Sequence, residues 1–182
     1  MKILKIGFTL VEFAIVIAVM AIIALMVIPG ISSSMRGSYA SIASNEFISG
    51  VGLARVNAIS HGYPVILCPA NLDSGGGLIG CRNDNDWSAG VLIYQDNNLS
   101  DSFDKDNLEP ELVKLIKFPS GVQLSISMSP AATKLTFDSK GNFSQAETLC
   151  FANPGYSRRV AVNLLGVATD CLVGTANCPA CN

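Results

Sequence analysis

Histidine is almost missing from this chain: of 182 residues only His61 is one. That excludes most chemistry built on an imidazole base, because Ser60 merely adjoins His61 instead of sitting in a nucleophile elbow, and a zinc site needs four ligands in register. Charge is scarce too, at 14% of residues with a net of −2, so bulk electrostatics gives no attraction to nucleic acid or anionic lipid. There is no internal repeat and no low-complexity tract. Between Phe8 and Ile28 charge all but vanishes, leaving Glu12 alone in a run of Ile, Val, Ala, Leu, Met and Phe with a single Thr. A cleaved secretory signal has a shorter, charge-free apolar core, so the run argues against one, although Gly30, Ser32 and Ser34 are the small residues such a cut would use.

The run is long enough to cross a hydrocarbon core of about 30 Å as a helix. A carboxylate inside it costs at least ~2.5 kcal/mol on insertion scales, so Glu12 is a functional residue that needs a named partner for its charge. What remains has room for one domain of roughly 120 residues, enough to bury a core. Six cysteines, Cys68, Cys81, Cys150, Cys171, Cys178 and Cys181, lie wholly outside the apolar run. An even count in an exported domain reads as disulfides in an oxidising periplasm or exterior, with fifteen formal pairings.

Beyond Ile28, Pro29-Gly30 would break a soluble helix but is tolerated in or near a membrane span. From Tyr39 an apolar stripe continues through Ala43, Phe47, Val51, Ala54 and Ala58 at spacings of three and four, and His61-Gly62-Tyr63-Pro64 ends it. One long helix is expected, apolar on all sides first and amphipathic afterwards. The rest reads as mostly antiparallel strands at Pro64–Cys68, Gly90–Tyr94, Glu111–Phe118, Val122–Ser127, Lys134–Asp138, Thr148–Ala152, Arg159–Asn163 and Val167–Cys171. Ser139-Lys140-Gly141-Asn142 is a hairpin turn, and 71–86 and 96–107 are loop-like.

Cys68 and Cys81 flank a glycine-rich segment, which one bridge would close with an entropic contribution of roughly 3 kcal/mol. A bridge from Cys150 to Cys171 would tie the last two strands together. Cys178-Pro179-Ala180-Cys181 reads first as a structural bridge, with pairing to other cysteines and redox or metal use as alternatives, because a redox motif belongs at a helix N-terminus. Asp101, Asp104 and Asp106 lack the glycine and terminal Glu of a calcium loop and read as a solvated turn.

Lys2 and Lys5, then Gly7, then Phe8-Thr9-Leu10-Val11-Glu12 resemble the class III signal of type IV prepilins and type II secretion pseudopilins. The resemblance implies that a prepilin peptidase cuts between Gly7 and Phe8 and methylates Phe8. It implies that Glu12 meets the N-terminal amine of a neighbouring subunit. Ala54-Arg55, Ala58-Ile59, Pro64-Val65, Cys68-Pro69, Cys81, Trp87, Gly90, Phe137, Gly141, Cys150, Arg158-Arg159-Val160 and Gly166, in that order, resemble the GspH/FimT branch of minor pseudopilins and minor pilins.

The fold implied is α+β and type IV pilin-like, a long helix with a transmembrane first half packed on a mostly antiparallel β domain. Its parts would be a leader (1–7), a transmembrane and assembly helix (8–29), an amphipathic continuation (30–61) and a periplasmic β-rich domain (62–182). Location would be the inner membrane, as a single pass with the β domain in the periplasm, and then a pilus or pseudopilus. The implied partners are the peptidase and other pilins. No enzyme activity, cofactor or metal is expected; a membrane-anchored thiol oxidoreductase is the remote alternative. DNA-uptake members of the FimT group carry Gly-Arg-x-Arg near the C-terminus, where this chain reads Gly166-Val167-Ala168-Thr169. DNA binding through Arg158 and Arg159 is therefore disfavoured, the more so because neighbours on a strand face opposite ways.

Overall fold

A computed structural model describes residues 9–104, 111–118, 125–129, 131–176 and 178–181, without the side chains of 25–34 and 36. By its contacts the chain divides into two compact units, residues 1–35 and 36–182. Helix α1 (Leu10–His61) contributes to both, and Pro29-Gly30 does not interrupt it.

In the first unit the large apolar side chains described up to Ala24 are all exposed, from 48% at Val16 to 85% at Leu10. Among the described residues no helix is long and apolar enough to cross a membrane. Residues 10–24 of a helix rise only about 22 Å, short of a core of about 30 Å, and the rest of the apolar run has side chains outside the described set.

In the second unit the helix becomes one-sided. Ala40, Ala43, Phe47, Val51, Ala54 and Ala58 are buried, at the three- and four-residue steps that keep one face inward. Gly50 lies on that face because a Cβ there would come within 2.7 Å of Ile116 Cδ1 and 2.9 Å of Ile93 Cδ1. The helix stops where Gly62 turns to φ +73° and donates its N–H to the Ala58 carbonyl at 2.9 Å, a left-handed cap that glycine adopts without a Cβ clash.

Nine strands follow among the described residues: β1 (Val65–Leu72), β2 (Leu78–Cys81), β3 (Gly90–Gln95), β4 (Leu112–Lys117), β5 (Ser125–Ser129), β6 (Leu135–Phe137), β7 (Glu147–Asn153), β8 (Tyr156–Val162) and β9 (Ala168–Leu172). All pairings are antiparallel. The first sheet runs β2-β1-β3-β4; β6 pairs with Val65–Leu67 of β1, while β2 pairs with its other end, Ala70–Leu72. The second sheet runs β5-β7-β8-β9.

The expected loop at 71–86 is corrected. β1 continues through Leu72, and β2 returns along it across a turn in which the Asp73 carboxylate accepts the N–H groups of Gly75 and Gly77. Glycine density hides the hairpin, since three glycines in a row depress any strand reading while the turn needs them. Of the expected strand Val122–Ser127, residues 122–124 lie outside the described residues.

Both sheets send apolar side chains against the helix: Val65, Leu67, Val91, Ile93 and Ile116 from the first, Ile126, Met128, Leu149, Phe151, Val160 and Val162 from the second. The far face of the first sheet holds a second cluster of Ile66, Cys68, Ala70, Leu92 and Tyr94 under Phe103. That is why β1 is buried at six consecutive positions instead of alternating. β5 alternates, with Ile126 and Met128 inward and its serines outward. Asn85 holds β5 in place by donating to the Met128 carbonyl at 3.0 Å and accepting its N–H at 3.2 Å.

Candidate assembly site

Thr9 precedes the first helical residue, and Glu12 is the third residue inside. Glu12 Oε2 accepts both the Thr9 N–H and the Thr9 hydroxyl at 2.9 Å, while Thr9 Oγ1 accepts the Glu12 N–H at 3.2 Å. This reciprocal capping box satisfies donors that a helix start otherwise leaves open. The sequence reading of Glu12 as an acid awaiting a partner overlooks Thr9, although Thr-x-x-Glu spacing is itself the signal. Among the described residues no cation pairs with Glu12, so its hydrogen bonds are local and its charge is uncompensated. Gly7 and Phe8 lie outside the described residues.

The three disulfides are Cys68–Cys81, Cys150–Cys181 and Cys171–Cys178. The first is as expected. The Cys150–Cys171 pairing is corrected by register: Cys150 lies opposite Arg159, and Arg159 opposite Cys171, so a whole strand separates the two. Two strand spacings are about 10 Å, beyond the roughly 7 Å between Cα atoms that a bridge can span. Nor do Cys178 and Cys181 pair with each other. The C-terminal segment returns over the sheet and is fastened on both sides of β8, which leaves that Cys-x-x-Cys without a dithiol of its own for redox exchange.

Arg158 and Arg159 face opposite ways, as neighbours on a strand do. Arg158 turns toward the helix, where it donates to Ser41 Oγ at 2.9 Å and pairs with Asp170 on β9. Asp170 is a partner the sequence reading did not foresee, because only the β8–β9 register brings it near. Arg159 lies on the outer face and donates to Thr148 Oγ1 at 3.3 Å.

The acidic loop organises itself. Asp96 is buried and accepts the N–H groups of Ser100 and Asp101, Glu111 accepts the N–H of Asp104 at 2.8 Å, and Lys134 pairs with Asp101 at 2.9 Å. Burial, with Asp101, Asp96 and Glu111 nearby, pushes the Tyr94 hydroxyl well above its ordinary range. Asp106 lies outside the described residues, and among those described no three acidic, cysteine or histidine side chains gather as metal ligands. At the hairpin after β6 the Asn142 backbone N–H holds the Asp138 carboxyl below its ordinary value. His61 lies at the helix end with Nδ1 3.1 Å from the Asn57 carbonyl oxygen.

The family model described as "Type II transport protein GspH" matches residues 43–166, more than half the chain. The chain belongs to the GspH family. Its fold is similar to that of the type IV minor pilin FimU of Pseudomonas aeruginosa, at 15% identity and a TM-score of 0.50, over 76% of this chain and 89% of that one. The minor pseudopilin EpsH from the type 2 secretion system of Vibrio cholerae also matches, at 16% identity and a TM-score of 0.47, over 75% of this chain and 98% of that one. No curated protein sequence matches the chain. GspH-family membership makes this an envelope-associated structural subunit of the minor pseudopilin and pilin kind, with other pilins or pseudopilins as its class of partner. The matched span, 43–166, begins inside the one-sided part of α1 and omits Glu12 and the last three cysteines, Cys171, Cys178 and Cys181.

Proposed function

We propose that this GspH-family chain is a minor subunit of a secretion pseudopilus or type IV pilus, placed at its tip. Prepilin peptidase cuts it between Gly7 and Phe8 and methylates Phe8. Residues 8–29 hold it in the inner membrane, with the β domain in the periplasm, until it is extracted into the fibre. Exchange of lipid for a bundle of sister helices loses little hydrophobic free energy, because both surroundings are apolar. Glu12 sets the axial stagger by meeting the amine of a neighbour's first residue, the partner its charge lacks within the described residues. The reading is carried by the first unit, where Phe13, Ile15, Ile17, Met20 and Ile22 all stand exposed beside one carboxylate.

The test is Glu12→Ala in cells that assemble the fibre. The variant is expected to be processed to the methylated Phe8 terminus and to stay membrane-bound, yet to be missing from sheared fibres. Normal incorporation would defeat the proposal, as would a mature chain starting anywhere but Phe8.

A further inference from the structure

On the outer face of the second sheet, Ser127, Cys150, Arg159 and Cys171 form one row across β5, β7, β8 and β9. The disulfides fix Cys181 over Cys150 and Cys178 over Cys171, so Pro179 and Ala180 cross above the strand that carries Arg159. A cavity of about 440 Å³ lies beneath, lined by Ser127, Ser129, Thr148, Arg159, the Cys150–Cys181 bridge and the Pro179-Ala180 segment. We propose that this roofed pocket binds a carboxylate, held by the Arg159 guanidinium and the hydroxyls of Ser127, Ser129 and Thr148.

Charge is the first reason. Arg158, one residue away, has Asp170 for its charge, whereas Arg159 has among the described residues only a hydroxyl acceptor. A guanidinium presents a planar fork of donors that matches a carboxylate through two parallel bonds, and hydroxyls supply further donors without adding charge. A phosphate dianion is a poorer match, since one cation among neutral hydroxyls leaves half of its charge uncompensated. Duplex DNA fits worse again, because this face offers one phosphate contact where useful affinity needs several.

Construction is the second reason. The cavity is within the range of about 300–1,000 Å³ typical of small-molecule sites and larger than a lone carboxylate requires. Its walls are a sheet and a segment anchored by two covalent bridges, so the pocket is formed before the ligand arrives. The occupant is an acid carried on something the size of a sugar or one or two peptide residues. Uronic acids and acidic peptide side chains share that chemistry.

The test uses the full chain in detergent micelles, oxidised, with its arginine Nε–H resonances followed by NMR during titration. The probes are glucuronate, N-acetylglutamate and inorganic phosphate. Expected is a saturable shift of the Arg159 resonance with one or both carboxylates while Arg158 stays still, and a loss of affinity of about tenfold or more in Arg159→Gln. Ser127→Ala, which keeps the guanidinium, should weaken binding less. Response to glucuronate alone identifies an acidic sugar as the source, and response to N-acetylglutamate alone identifies a peptide. No saturable shift with either carboxylate overturns the proposal. So does phosphate binding at least as tight as theirs, or unchanged carboxylate binding by Arg159→Gln.

Discussion

Phe13 and Phe47 belong to one helix and have opposite surroundings. Phe13 is 61% exposed, while Phe47 is fully buried with its ring centroid 5.9 Å from that of Phe151. Around Phe47 the sequence is one-sided, with Ala43, Val51 and Ala54 inward and Asn45, Glu46 and Ser49 outward. Around Phe13, Glu12 apart, it is apolar on every side, so no rotation of the helix would give a protein core one face and water the other. The difference teaches that hydrophobicity alone does not say where a helix is buried. A one-sided pattern is answered by the chain's own sheets, and an all-round pattern calls for surroundings outside it.

The hardest blow to that contrast would come from the buried ring. Phe47→Ala removes an aromatic side chain from the junction of helix and second sheet, and such truncations cost about 3–5 kcal/mol because the site collapses only in part. Denaturant melts of the oxidised full chain in detergent should show a loss of that size. A loss below about 1 kcal/mol would mean that α1 does not depend on the sheets for its burial.

Glu147 sharpens the contrast from the other side, as an acid in the covered unit where Glu12 is one in the exposed unit. It is buried on β7 and accepts a hydrogen bond from Gln145, yet Glu147 Oε2 has no partner among the described residues. Burial, opposed by that hydrogen bond, raises its pKa above the ordinary 4.5. The folded state then binds the proton more tightly than the unfolded state. The stability Glu147 allows is therefore full below the ordinary carboxyl range and is lost as pH rises through the raised value. Glu147→Gln should stabilise the protein by about 1 kcal/mol at neutral pH, and the gain should vanish below about pH 4. A gain that persists in acid would show that charge is not what burial penalises there.

Much of the fold can be read from local pattern. The stripe from Tyr39 to Ala58 repeats at helical spacing, and the strands that bracket Val91, Ile126 and Leu149 announce themselves as short apolar runs. The disulfide map cannot be read that way. Whether Cys150 can reach Cys171 depends on which strand lies between them, and the answer, Arg159 on β8, exists only once the order β7-β8-β9 is known. The same holds for Asp170, which finds Arg158 through strand register and not through sequence spacing. β2 fails for another reason, since the turn chemistry that forms its hairpin looks like loop. At the helix start the reverse holds: Thr9 and Glu12 are three residues apart, so their capping box is legible from local spacing alone, even inside an apolar run.

The smallest expected effect is the most direct control on the comparison. Phe13→Ala makes the same truncation as Phe47→Ala, on the same helix, where no described side chain of the protein covers the ring. With nothing lost but exposed surface, the stability of the β domain should stay within about 0.5 kcal/mol of wild type. The same melts measure it, with the disulfide-bonded domain as the reporting unit. If the apolar end of α1 serves partners outside the chain, the deficit should surface elsewhere, as a lower share of Phe13→Ala than wild type in sheared fibres at equal expression. A drop in domain stability approaching that of Phe47→Ala would show that the domain leans on Phe13, and would remove the distinction between the two parts of the helix.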